Sequence, residues 1–264
     1  MKQISLLILN TITLLFTLVM NGLAGSSFFN GKSVGEVSRQ YDTLFAPAGY
    51  AFAIWGLIYI LLILFVIFQW VSWFKYKKDR ELKQTGIWFS VANLANGFWI
   101  IAWLNESLGI SLMLMFVLLA SLIVLTARLR LEIWDAPVRI IAFVWWPIVF
   151  YLGWIVVASV ANTAAFLVSI NWDGGFMAAP AWTIVLIAVA TVIYLFLVLY
   201  RNMREAALVG VWALVAIAVR QWQSYDKIAV AAVIGAAVLF AVVSWHGHKN
   251  RETSPVEKLK RGEV

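Results

Sequence analysis

No cysteine occurs in the 264-residue chain, which excludes disulfides, thiolate metal sites and a Cys nucleophile. Charge is scarce as well: Asp, Glu, Lys and Arg make up 12% of the residues, and almost none falls inside the long apolar runs. Carriers that couple to protons or ions keep ionisable groups at membrane depth, so the chain does not read as one of them. The two histidines, His246 and His248, sit together at the end of the last run, whereas clamping a haem from both sides needs a facing pair. No lysine occupies the middle of the last runs, as a retinal protein would require. Alternation of apolar and polar residues over about 10 positions, the mark of barrel strands, is also missing.

What remains is apolar. Hydrophobic residues make up 63% of the chain and the mean hydropathy is +0.89, far outside the range of soluble domains. Runs of about 20 apolar residues, enough to cross the hydrocarbon core, recur between short polar breaks. Eight spans are read, at Ile4–Ala24, Gly49–Phe74, Gly86–Leu104, Leu108–Arg128, Ile140–Val168, Pro180–Tyr200, Arg204–Gln221 and Lys227–Trp245. The fold class is therefore an all-α integral membrane protein with about eight transmembrane helices. The first run is too long for a signal peptide and is read as an uncleaved helix.

Lys and Arg near span ends stay on the cytoplasmic side, and an even number of spans puts both termini there. Sixteen of the twenty basic residues then lie inside, among them Lys75, Lys77, Lys78, Arg80 and Lys83, and four lie outside: Lys32, Arg39, Arg220 and Lys227. The net charge of +7 thus reports orientation in a cell membrane, not a nucleic-acid partner. Arg220, Asp226 and Lys227 read as an interfacial ion pair or as snorkelling side chains.

Tryptophan is abundant, fifteen in all. Trp70, Trp73, Trp134, Trp182, Trp222 and Trp245 suit aromatic belts at the membrane surfaces. Others cluster by helical phase. In the second span Phe52, Trp55, Tyr59 and Leu62 share a face. In the third, Asn93, Asn96, Trp99 and Trp103 lie within about 120°, and in the fifth Pro147, Tyr151, Trp154, Ala158 and Asn162 lie within about 80°. Any one stripe reads first as packing, with Ala158, Ala161 and Ala165 permitting close helix approach and Asn acting as interhelical glue. Three stripes that combine Trp with Asn and carry no charge suit a cavity for a large, flat, lipophilic ligand.

The stretch Pro47, Ala48, Gly49, Tyr50, Phe52, Trp55, Tyr59 resembles the start of the second helix of the tryptophan-rich sensory protein family, TspO/MBR, which includes the peripheral benzodiazepine receptor. In that family the helix opens with Pro-Pro-Gly and continues through aromatic and small residues to a Trp and a Tyr four apart. Asn96 and Trp99 match its third helix; Tyr151, Leu152, Trp154, Ala158 and Asn162 match its fifth. Three features depart from the pattern: Ala48 replaces the second proline, one residue is missing between Gly49 and Trp55, and Phe150 stands where a proline is expected. The first outer loop, Gly25 to Ala46, has Tyr41 but no tryptophan to make the family's lid contact. The resemblance covers about residues 1–170, and the last three spans have no counterpart in the family's five-helix bundle.

The resemblance implies residues 1–170 as a TspO-like five-helix bundle; the apolar runs and basic residues beyond it read as three additional helices, 171–247, and a basic cytoplasmic tail, 248–264. It implies a membrane receptor or sensor, often homodimeric, that binds a porphyrin, haem, related tetrapyrrole or sterol among helices two, three and five, with no cofactor required. Trp55, Trp99 and Trp154 would stack on the ligand, Asn96 would hydrogen-bond it and Ala158 would leave room for it. Pro47, Tyr50, Phe52, Tyr59, Trp103, Tyr151 and Asn162 complete the expected site. The extra helices are expected to form a separate packing layer. Two alternatives stay open: a carrier or permease for a lipophilic small molecule, and a tetrapyrrole-modifying enzyme. The lack of an acid, base or metal constellation favours binding over catalysis.

Overall fold

In hydrocarbon every backbone N–H and C=O needs an internal partner, so apolar runs of this length fold as helices. The computed structural model describes residues 2–29, 31–76 and 80–263; Lys77 and Lys78 of the inner basic cluster lie outside them. Helix α1 spans Gln3–Gly22, and α2, Val34–Gln40, lies in the loop that leads to the next long helix. A 3-10 turn, Gly49–Ala53, leads into α3, Ile54–Tyr76, and the short α4, Arg80–Thr85, follows. Next come α5, Trp88–Leu104, and α6, Leu108–Arg128. A single turn, α7, Val138–Ile140, passes through a π-helical turn, Ile141–Trp145, into α8, Trp146–Ser169. The chain continues with α9, Ala179–Arg201, α10, Arg204–Gln221, α11, Asp226–Lys249, and α12, Pro255–Lys260. Each of the eight apolar runs is a helix, and no strand occurs among the described residues.

Six of these helical stretches are long and apolar enough to cross a membrane by themselves. The other two are α5, which is apolar but shorter, and α10. Helix α5 has 17 residues, twelve of them buried, and is packed by α1 and α6. Helix α10 carries Arg204, Glu205 and Arg220 near its ends and is surrounded by α8, α9 and α11. A helix that meets protein on most sides needs less lipophilic surface than one that meets lipid.

The last three helices are joined to the first five by one continuous apolar core. Small residues make the seam. A Cβ on Gly153 of α8 would lie 2.9 Å from the Ala206 Cα of α10; within the last three helices, one on Gly210 of α10 would lie 2.6 Å from the Tyr194 ring of α9. Backbones approach closely there because dispersion, not water exclusion, drives helix association in lipid. The Tyr194 hydroxyl donates to the Gly153 carbonyl at 2.6 Å, tying α9 to α8.

Pro147 falls at the second position of α8, directly after the π turn. Its missing N–H interrupts the helical ladder, and the widened turn absorbs the defect before the ring stripe of α8 begins. At the same end of the bundle, Lys258 of α12 is buried in ion pairs with Asp135 and Glu263. Beside it a polar cavity of about 260 Å³ holds Glu132, Arg204, Glu205 and His246. Burial first, then the nearby Glu205, raises the Glu132 carboxyl well above its usual range, and Arg204 acts against them.

Candidate functional site

The three aromatic stripes converge. Trp55 stands at the centre, stacked on Tyr59 at 5.3 Å and meeting Trp99 at 6.1 Å, Tyr151 at 6.0 Å and Trp154 at 6.3 Å between ring centroids. Trp99 stacks on Trp103 at 5.9 Å, and Phe52 meets Trp154 edge-on at 6.1 Å. Offset and edge-on arrangements are the favourable ones for aromatic quadrupoles, so α3, α5 and α8 are held together by their rings.

These rings enclose a chamber of about 40 Å³ whose walls include Pro47, Phe52, Trp55, Trp99, Trp103, Trp154, Ala158 and Asn162. Eight of the twelve residues expected at the site therefore share one cavity. Ala158, Ala161 and Ala165 supply its small-residue side. Three more, Tyr59, Asn96 and Tyr151, are outside the lining. Asn96 donates to the Tyr151 hydroxyl at 2.6 Å and accepts from Asn21 at 3.1 Å, so its amide bridges α1, α5 and α8. Asn162 reaches the lining but is also bonded to Ser111 of α6, at 2.9 Å through its amide nitrogen. Tyr50 turns away, packing edge-on against Trp212 of α10 at 5.2 Å.

Indole donors distinguish the chamber from ordinary packing. The Trp103 N–H donates to the Val34 carbonyl at 3.2 Å. Those of Trp55, Trp99 and Trp154 are buried and have no partner. A buried indole N–H normally finds an acceptor, and leaving one unpaired costs about 1 to 3 kcal/mol. Three of the four indoles in the chamber are thus unpartnered, as is that of Trp146 outside it. No carboxylate, imidazole or amine lines it.

The roof of the chamber carries no apolar run or aromatic stripe. Val34, Ser38 and Thr43 of the loop between α1 and α3 line the chamber as a roof, with α2 laid across it. The signal was the capping box Ser33-x-x-Glu36, whose reciprocal bonds start α2. Glu106, in the tight turn between α5 and α6, fastens the loop. Lys32 forms an ion pair with it, while Gln40 donates to it at 2.6 Å and the Tyr41 hydroxyl at 3.1 Å. The Lys32 ammonium holds the Glu106 carboxyl below its usual range, against the effect of burial. Burial, and then the bond to Glu106, raises the Tyr41 hydroxyl above its ordinary value.

Helix α10 fastens the other edge. Arg220 pairs with Asp42 at 2.9 Å, and the Gln221 amide donates to the Leu44 carbonyl at 2.8 Å. The ion pair expected within the last hairpin is thus made by Arg220 to the loop between α1 and α3. The mouth of α3 also leans on α10, where the Ala48 N–H donates to the Ala216 carbonyl at 3.0 Å and the Trp212 N–H to the Ala51 carbonyl at 3.1 Å. Beyond Thr43 lies a wider cleft of about 460 Å³ between α8 and α9, with Thr43 in the wall of both spaces. The loop before α9 covers this cleft and not the chamber; its Trp172 meets Trp182 at 5.6 Å.

Fold and site together define a multi-pass α-helical membrane protein with an uncharged aromatic chamber under the loop between α1 and α3. A family model described as TSPO-like protein matches residues 7–245, and the chain belongs to that family. The match runs through α9, α10 and most of α11, beyond the stretch on which the sequence motifs lie. No curated protein and no solved structure matches the chain.

Proposed function

We propose that the protein is a membrane receptor or sensor that holds a planar lipophilic ligand, a porphyrin, haem or related tetrapyrrole, against the rings of α3, α5 and α8. The observation that carries this reading is the trio of unpaired indole donors, Trp55, Trp99 and Trp154, around one chamber. Ring faces match a flat π-system, and the N–H groups match acceptor atoms on its edge. The chamber as it stands has room for a water molecule or two, whereas drug-sized ligands occupy pockets of about 300 to 1,000 Å³. Binding therefore requires the outer loop to lift and the ring pairs to part, and the cleft beyond Thr43 offers a route from the bilayer. The reading includes eight spans with both termini cytoplasmic, α5 and α10 crossing as shielded helices. Binding is preferred to acid–base catalysis because no proton carrier lines the chamber.

Titrating detergent-purified protein with protoporphyrin IX while following Trp emission tests the proposal. Saturable quenching with a stoichiometry near one is expected. A linear, non-saturating response would contradict it.

A further inference from the structure

A groove of about 540 Å³, far larger than the aromatic chamber, lies between α6, α8 and α9. Its sides are Phe116 and Ile123 of α6 and Ile193 and Phe196 of α9, which are 37 to 54% exposed, so the groove opens laterally to the bilayer. Its floor is the buried Leu152 and Val156 of α8. The hydroxyls of Ser159 and Thr163, also in the lining, are turned back onto their own helix at 2.7 and 2.8 Å. Along this length the groove offers only hydrocarbon.

Its end at the basic side of the bundle differs. Thr126 and Arg201 line it there. The Thr126 side chain is buried, 8% exposed, and its hydroxyl has no partner. The Arg201 Nη2 donates to the carbonyls of Thr126 and Leu131, each at 3.3 Å, which holds the guanidinium in place while its buried Nε–H remains unpartnered. Two fixed donors thus stand at the end of an apolar groove that contains no carboxylate. Arg128 ends the neighbouring α6 and Arg130 follows it, while Glu132 and Glu205 face the separate polar cavity with Arg204.

We infer that this groove is a site for an anionic phospholipid of the adjacent leaflet, with one acyl chain along α8 and the phosphate on Arg201 and Thr126. A charge-assisted bond from Arg to phosphate satisfies the orphaned Nε–H, and the hydroxyl supplies a second donor. The surrounding arginines favour a net negative headgroup over a zwitterionic one. The spacing Leu197, Tyr200, Arg204, a pattern associated with sterols, does not form this site: Leu197 lines the groove, Tyr200 is 74% exposed and Arg204 belongs to the polar cavity. The inference is independent of what the aromatic chamber holds.

Thermal melting of delipidated full-length protein in neutral detergent, with graded dioleoylphosphatidylglycerol, dioleoylphosphatidylcholine or oleate, tests it. Phosphatidylglycerol is expected to raise the melting temperature at a concentration at least fivefold below that required for phosphatidylcholine. Arg201→Gln should abolish that preference. Thr126→Val, which keeps the shape and removes only the hydroxyl, should reduce it in protein that folds normally and so covers the case in which Arg201→Gln fails to fold. Equal responses to the two phospholipids, or a preference unchanged in either folded variant, would overturn the inference. Oleate acting as well as phosphatidylglycerol would replace the phospholipid with a free fatty acid and overturn it too.

Discussion

At the scale of single residues, the same amide type takes different work depending on what its neighbours leave open. Asn96 is expected from sequence to face a ligand, yet its amide is committed to Asn21 and Tyr151. Helical phase places a side chain on a face but does not say which neighbour claims it first. Asn96→Leu should therefore lower stability by roughly 1 to 3 kcal/mol, because the buried Tyr151 hydroxyl loses its partner and the half-buried Asn21 amide loses one of two. Affinity for protoporphyrin should change by less than about threefold, since Asn96 lies outside the lining, whereas a loss comparable to that of a chamber Trp would place the amide on the ligand. Differential scanning fluorimetry and the quenching titration separate the two outcomes. The tryptophans were more legible: Trp55, Trp99, Trp103 and Trp154 were selected by spacing and share one cavity. Their N–H groups were not legible, because pairing depends on atoms distant in sequence, such as the Val34 carbonyl that Trp103 uses.

Among the elements, α2 and its clasp are the part that must move. Seven residues of mixed polarity carry no transmembrane signal, and only the capping box announced them. Glu106→Gln removes the ion pair with Lys32 and weakens the two other bonds. Hydrogen exchange at residues 33–41 should quicken, and porphyrin should associate faster, if loop opening limits entry. The pH dependence follows from the lowered Glu106 carboxyl. A carboxylate held below its unfolded value stabilises the closed loop fully above that value, 4.5, and loses the contribution as pH falls through the lower folded one. Exchange at these residues should thus be flat in this respect between pH 5 and 8 and rise only in stronger acid, about pH 4 and below. A rise already at pH 6 would mean that another group governs the loop.

For the whole molecule, apolar length announced every long helix, and the eight runs agree with the helices to within a few residues. Composition could not show that the last three are fastened to the rest, because the seam consists of glycine, alanine and backbone. Gly153→Leu should force α8 and α10 apart, at a cost of roughly 1 to 3 kcal/mol from overpacking, and a melting temperature equal to the original would contradict the close approach. Orientation rests on the basic residues, so reporters fused after Lys83 and Lys258 should read cytoplasmic and one after Asp173 external.

The claim on which the account turns is that the rings of α3, α5 and α8 form a ligand chamber and do not merely pack. Protoporphyrin affinity in Trp55→Ala and Trp154→Ala, compared with Phe68→Ala, decides it. Phe68 stacks on Phe143 at 5.8 Å and does not line the chamber, so it controls for the loss of an aromatic. Each lost ring surface is worth about 0.5 to 1.5 kcal/mol beyond its buried area, which predicts a dissociation constant about tenfold higher or more in both Trp variants and unchanged in the control. Folded Trp variants that bind as tightly as the original protein would contradict the account and return the rings to a packing role.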